Sequence, residues 1–117
     1  MGRHELEIYE LSLLLKYSTN QEEERKSVDS CINLIKPYRG RISVKFNGRK
    51  ALAYAIKGSD VVNWVDIYYT GNGDLNKKIK TLIQRDDFVL RGLITKITSK
   101  QLRSPSMLNH SYISNLF

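Results

Sequence analysis

The chain has 117 residues, of which 41% are hydrophobic and 26% are charged, and it contains one cysteine. This length supports one domain with a single core. One cysteine excludes an internal disulfide, and two histidines at opposite ends of the chain argue against a structural zinc site. The net charge of +7 favours a polyanionic partner, because each lysine or arginine on a phosphate releases a condensed counterion. A basic soluble protein without such a partner is the alternative.

No segment of the sequence is typical of a membrane span or a targeting peptide. The longest apolar run, residues 11–15, is interrupted by Ser12 and is too short for a bilayer. The first residues contain acids and no apolar signal core. We therefore expect a protein that works where it is made. The bias toward Lys, Asn, Ile and Tyr suggests an AT-rich genome, such as that of an algal plastid or a bacterium.

Alternating apolar residues predict the first strand over Ile8–Lys16. The buried face would carry Tyr9, Leu11, Leu13 and Leu15, and the other face Ile8, Glu10, Ser12 and Leu14. This second face is mixed, so we expect it to be half exposed, as in an antiparallel sheet that is covered on one side only.

The first helix is predicted to begin at a capping box formed by Thr19 and Glu22, with acids in its first turn. Apolar residues then recur every three or four positions, which predicts one buried stripe. Its members are Val28, Cys31, Ile32, Ile35 and Tyr38. Cys31 is thus interpreted as a packed core thiol. The Lys36-Pro37 pair and Gly40 limit the helix.

The second strand begins in the alternating segment Arg41–Phe46, and the next two residues, Asn47-Gly48, allow two interpretations. They form a strong hairpin signal. They are equally compatible with a bulge, at which Gly48 lets one long strand bend and continue to Ile56. We favour the bulge, because residues 57–60 supply a second turn where a long strand would reverse.

The remaining elements are a strand over Val61–Thr70, a helix that ends at residues 85–87, and a strand over Phe88–Thr98. The helix buries a stripe made of Leu75, Ile79, Leu82 and Ile83. The order β-α-β-β-α-β is that of the split βαβ arrangement. The sequence therefore predicts an α+β domain over residues 1–98, with a four-stranded antiparallel sheet and both helices on one face.

The apolar residues in the segment 99–117 follow neither the periodicity of a helix nor that of a strand. Such a tail is expected to order only against a partner.

No catalytic set is present in the sequence. Asp86 and Asp87 lack a partner group and are interpreted as a helix end. The loop at residues 71–73 lacks the lysine and hydroxyl of a phosphate cradle. We therefore expect no enzyme activity, no metal site, no cofactor and no small-molecule substrate.

Four motifs resemble the family of the bacterial-type small-ribosomal-subunit protein number six. They are Tyr9-Glu10, Tyr38-Arg39-Gly40-Arg41-Ile42, Gly48-Arg49-Lys50-Ala51-Leu52-Ala53-Tyr54-Ala55-Ile56 and Arg85-Asp86-Asp87-Phe88-Val89-Leu90-Arg91. The resemblance runs from Ile8 to Lys96 in the family's order. Ala55 stands where the family usually has proline, the N-terminal segment is longer, and the C-terminal tail differs.

The resemblance implies a ferredoxin-like fold and a structural role in the small subunit, in bacterial cytoplasm or plastid stroma. It also implies binding to the central domain of 16S-type ribosomal RNA together with the small-subunit protein numbered eighteen. The tail would contact other ribosomal components. A small-molecule regulatory module of the same topology is the alternative. A small acyl-phosphate hydrolase is discounted, because the loop at residues 17–20 contains no arginine.

Arg49 and Lys50 are consecutive on a strand, so their side chains point to opposite faces. One is expected to face RNA and the other to lie near a protein contact, with RNA contacts mostly to the backbone. The candidate RNA-binding residues are Arg3, His4, Arg49, Lys50, Arg85, Arg91 and Lys96. The candidate partner-binding residues are Leu52, Tyr54, Ile56, Tyr112 and Phe117.

Overall fold

The structure is a computed structural model that describes residues 6–17 and 20–97. Its elements are β1 (Glu7–Lys16), α1 (Gln21–Ile35), a 3₁₀ turn (Lys36–Tyr38), β2 (Ile42–Ile56), β3 (Ser59–Gly71), α2 (Gly73–Arg85) and β4 (Val89–Lys96). The strands pair in the order β2-β3-β1-β4, and every pair is antiparallel. The predicted βαββαβ order and the antiparallel sheet are confirmed.

One face of the sheet packs against both helices and forms the main core. Tyr9 and Tyr69 stack there, with ring centroids 5.8 Å apart. The buried members of this core are Leu11, Leu13, Leu15, Val28, Cys31, Ile35, Val65, Ile67, Tyr69, Leu75, Ile79 and Val89. The predicted stripes of the two helices supply the helical members of this group, so both stripes are confirmed.

The N-cap of helix α1 lies one residue later than the predicted N-cap, Thr19. Asn20 is the N-cap, and its side-chain oxygen accepts a hydrogen bond from the Glu22 amide at 3.0 Å. An asparagine oxygen satisfies one of the free amides of the first turn, so no hydroxyl cap is needed at this end. The capping box was therefore wrong, and Thr19 lies outside the described residues.

The bulge at Asn47-Gly48 is confirmed. Gly48 has a φ of 84°, and the register between β2 and β3 shifts between Phe46 and Gly48. The strand continues to Ile56 and reverses at Lys57 and Gly58, whose φ angles are 51° and 82°. Two consecutive positive φ angles are typical of the type I′ hairpin turn, whose twist matches that of the flanking strands.

Substitution of Gly48 tests the bulge through the backbone alone, because no atom lies within 4 Å of an added Cβ. We expect Gly48→Ala to lower the free energy of unfolding by about 1 kcal/mol, since alanine disfavours a positive φ. Gly73→Ala is the matched control, because Gly73 is equally unobstructed and begins a helix. Urea denaturation should show this control unchanged or more stable by up to about 1 kcal/mol. Equal losses in both variants would contradict the role of the bulge.

The opposite face of the sheet is more buried than the sequence suggested, although Ile8 on this face is 40% exposed as expected of a mixed face. Glu10, Ser12 and Leu14 are all buried there. A second hydrophobic cluster covers part of this face, with Leu14, Ile56, Val62 and Leu90 buried and Leu52 and Trp64 packed against them. The register between β2 and β3 shifts again between Ala51 and Ile56. The end of the β2–β3 hairpin therefore folds across β3 and reaches β1 and β4.

Candidate RNA and partner surfaces

Arg49 and Lys50 point to opposite faces of the sheet, as predicted. Lys50 pairs with Val62 in the register of β2 and β3, and Arg49 pairs with Asn63. The guanidinium carbon of Arg49 lies 5.7 Å from the centroid of the Tyr17 ring. A cation in this position is attracted to the face of the ring. The contact helps to hold Arg49 at the end of the sheet where β1 finishes.

Lys50 shares a row of the sheet with a second lysine. Val62 is the register partner of both Lys50 on β2 and Lys16 on β1. The three residues therefore lie side by side on the same face, and the two lysines are two strand spacings apart, about 10 Å. One end of the sheet thus carries three cations, with Lys50 and Lys16 on one face and Arg49 on the other.

A cleft of about 630 Å³ opens beside this row, where β1, the β2–β3 turn, α2 and β4 meet. Its cationic lining residues are Lys16, Lys57, Lys80 and Arg91, and we call it the lysine cleft. Of these four, Arg91 alone is among the candidate RNA-binding residues predicted from the sequence. Lys57 lies in a turn and Lys80 on a polar helix face, and no local pattern indicates that they approach Lys16.

The carboxylates of the lysine cleft are Asp86 and Asp87. Both oxygens of Asp86 accept hydrogen bonds: Oδ2 from the Ser27 hydroxyl at 2.7 Å, and Oδ1 from the Phe88 amide at 2.9 Å. Asp86 therefore ties the start of β4 to α1. In the described part of the chain, Lys16, Lys57 and Lys80 have no ion pair. The lining consequently carries an excess of positive charge.

The other candidate RNA-binding residues are more scattered. Arg85 is exposed at the end of α2. Lys96 lies at the opposite end of the sheet, where it forms an ion pair with Glu7 at 2.5 Å. The hydrogen bond that the Lys96 ammonium donates to the Glu7 carboxylate raises the pKa of Lys96. Arg3 and His4 lie outside the described residues. The structure therefore brings Arg49, Lys50 and Arg91 to one end of the sheet and leaves Lys96 at the other.

The candidate partner-binding residues divide into three groups. Ile56 is buried in the second cluster, and Leu52 packs against that cluster, so both hold the hairpin end in place. Tyr54 lies between them in sequence and is 78% exposed. Tyr112 and Phe117 lie outside the described residues. Of this set, the Tyr54 side chain is the one that the described chain presents to solvent as a large apolar surface.

A buried polar network on the second sheet face was missed from the sequence. Asp66 is fully buried, and its carboxylate accepts three hydrogen bonds. The donors are the Ser12 hydroxyl at 2.7 Å, the Trp64 indole N–H at 2.9 Å and the side-chain amide of Asn47 at 3.0 Å. The alternation of each strand places these residues on the same face. Their meeting, however, requires the register of β1 with β3 and the bulge at Asn47.

Glu10 lies next to this network and is also fully buried. Burial raises the pKa of Glu10 to about 7. A hydrogen bond with Tyr68 opposes the rise, the negative charge of Asp66 adds to it, and the positive charge of Lys45 opposes it. Neither carboxylate oxygen of Glu10 has a partner of full hydrogen-bond geometry among the described residues. A neutral carboxylic acid is therefore favoured at this position in mildly acidic solution.

Cys31 is buried in the main core, which confirms its interpretation as a packed thiol. Burial, with a smaller contribution from Asp86, raises the pKa of Cys31 to about 12. The thiol therefore stays protonated and unreactive near neutral pH. Within residues 6–17 and 20–97, no three His, Cys, Asp or Glu side chains cluster as metal ligands. Neither helix in the same ranges has the length and hydrophobicity needed to cross a bilayer.

Comparison with solved structures supports the ferredoxin-like fold. The crystal structure of 30S ribosomal protein S6 from Thermotoga maritima superimposes with a TM-score of 0.74 at 18% identity. The match covers 87% of this chain and 97% of the Thermotoga chain. The shared architecture is thus nearly complete, whereas most side chains differ.

Sequence comparisons identify bacterial and plastid-type relatives. Small ribosomal subunit protein bS6 of Orientia tsutsugamushi is 24% identical over 108 residues, which is 91% of this chain and 92% of the relative. Small ribosomal subunit protein bS6c of Cyanidioschyzon merolae is 29% identical over 90 residues, 75% of this chain and 88% of the relative. The family profile of Ribosomal protein S6 matches residues 8–96. The chain therefore belongs to the Ribosomal protein S6 family, whose members are constituents of the small ribosomal subunit.

Proposed function

We propose that the chain is a non-catalytic structural component that binds the central domain of 16S-type ribosomal RNA together with the small-subunit protein numbered eighteen. The observation that carries this proposal is the group of cations at one end of the sheet. Arg49 is held beside Tyr17, and Lys50 and Lys16 flank Val62 in one row. In a chain of net charge +7, such a group suits a phosphate backbone.

Backbone contacts are favoured over base stacking on the sheet. Trp64 packs against the second cluster, and its indole N–H donates to Asp66 and Ser12. Tyr9 and Tyr69 stack within the main core. These rings are committed to the fold, whereas modules that bind single-stranded RNA present aromatic rings on an open sheet. The charged groups at the sheet end are therefore the proposed RNA contacts.

The protein partner is proposed to lie along β2, which is an edge strand of the described sheet. Two large apolar side chains of this strand are exposed: Tyr54 at 78% and Phe46 at 53%. A segment of the partner added along β2 would cover both rings and form main-chain hydrogen bonds. Beyond the described residues, Tyr112 and Phe117 are proposed to contact other ribosomal components.

Alanine substitutions at Arg49 and Lys50 test the RNA contact. We expect the variant that loses a phosphate contact to reduce the slope of log affinity against log salt by about one unit. The measurement is filter binding of a central-domain RNA fragment, with protein eighteen present, over a series of salt concentrations. Lys26→Ala, which removes an exposed charge from α1, is the control. Slopes that match the control in both variants would contradict the proposed contact.

The same titration without protein eighteen tests the partnership. If the two proteins bind as a pair, the chain alone should bind the RNA more weakly, because the contacts of its partner are missing. Full-strength binding by the chain alone would argue against a joint site.

A further inference from the structure

The lysine cleft has the shape of a binding site rather than of a flat charged surface. Four elements enclose a volume of about 630 Å³, which falls within the range of ligand-sized clefts. Its lining combines the apolar residues Ile83, Val89 and Leu90 with the cations and with the polar residue Gln84. Several cations that line one cleft act together on a bound anion, so it would be attracted more strongly than by a single lysine on open surface.

The charges of the cleft favour an anion. Lys16, Lys57 and Lys80 have no ion pair among the described residues. Of the two carboxylates, Asp86 already accepts hydrogen bonds on both oxygens, and Asp87 is exposed to solvent. The four cationic lining residues outnumber the two carboxylates, so the cleft keeps a net positive charge that attracts an incoming negative group.

The position of the cleft favours a polyanion over a single ion. Lys16 belongs both to the cleft and to the row that contains Lys50. Val62, the register partner of both lysines, is buried beneath the end of the hairpin, so Lys50 lies on one side of that end and Lys16 and the cleft lie on the other. Cations spaced about 10 Å apart on both sides of the hairpin end can hold separate phosphates of one nucleic-acid backbone, which a single small anion cannot span.

We propose that the lysine cleft receives the phosphodiester backbone of a bound RNA strand, and this inference rests on the proposed RNA-binding function. Lys16 and Lys57 are the lysines that hold the phosphates, and Lys80 and Arg91 complete the rim. The contacts carry little base specificity, because lysines bind phosphates as point charges.

The test compares two double variants that remove the same charge. Lys16→Ala with Lys57→Ala removes two cations of the cleft. Lys77→Ala with Lys78→Ala removes two exposed cations of α2 that do not line it. Each variant of the full chain is titrated with the central-domain RNA fragment and protein eighteen across salt concentrations. Far-ultraviolet circular dichroism and urea denaturation verify that both variants fold.

We expect the cleft variant to reduce the salt slope by about two units, and the control variant to leave it unchanged. At moderate salt the cleft variant should lose about tenfold in affinity for each lysine, as expected for a charge-assisted hydrogen bond. Replacement of both cleft lysines by arginine instead of alanine should leave the salt slope of the unmodified chain unchanged, since both positive charges are kept.

The outcomes separate this inference from the proposed function. If the cleft variant binds RNA with the same slope and affinity as the control, the cleft is not an RNA site, although the chain still binds RNA. If the unmodified chain shows no affinity for the RNA even with protein eighteen, both the cleft proposal and the proposed function are wrong.

Discussion

Replacement of Asp66 by alanine is expected to lower the free energy of unfolding by about 3–5 kcal/mol, because it leaves buried donors without an acceptor. The fully buried carboxylate accepts from Ser12, Trp64 and Asn47, and these contacts join β1, β2 and β3. A loss of this size is a large part of the roughly 5–15 kcal/mol that stabilises a typical domain. Urea denaturation of the variant and the parent chain measures the difference.

Two further variants make the Asp66 prediction specific. Asp66→Asn keeps one acceptor oxygen in a side chain of the same shape. This variant should therefore lose less free energy of unfolding than Asp66→Ala. Asp60→Ala removes an exposed carboxylate from the same strand, and we expect a change within about 0.5 kcal/mol. If Asp66→Ala costs no more than Asp60→Ala, the buried network does not stabilise the sheet.

A pH dependence of stability is expected from Glu10. Its pKa rises from 4.5 to about 7 in the folded chain, mainly because the carboxyl is buried. Between these values the folded state binds more protons than the unfolded state, so stability decreases as the pH rises. The contribution of Glu10 to the free energy of unfolding should fall by up to about 3 kcal/mol between pH 4.5 and 7.

The variant Glu10→Gln removes this titration and keeps the size and shape of the side chain. Its free energy of unfolding, measured against that of the parent chain from pH 4 to 8, should show the difference growing in favour of the variant as the pH rises. Glu23→Gln, which replaces an exposed carboxylate in the first turn of α1, provides the reference series. A constant difference between Glu10→Gln and the parent chain would show that Glu10 does not titrate in this range.

Much of the architecture follows from local patterns in the sequence. The apolar stripes of both helices pack into the main core as predicted, because each helix must bury one face. Gly48 adopts the positive φ that glycine permits, and the turn at Lys57-Gly58 lies where a long β2 has to reverse. Strand alternation also sent Arg49 and Lys50 to opposite faces. These features depend on neighbours within a few residues, which the sequence records directly.

Other features were decided only by tertiary contacts. The end of the hairpin folds over the sheet because Ile56 packs against Leu14 and Leu90, which are distant in sequence. That packing and the network of Asp66 bury the central part of a face that alternation alone describes as half exposed. The lysine cleft likewise requires four elements to meet. Periodicity in the sequence determines the face on which a residue lies. Bulges and strand register, which depend on tertiary contacts, determine which distant residues it contacts on that face.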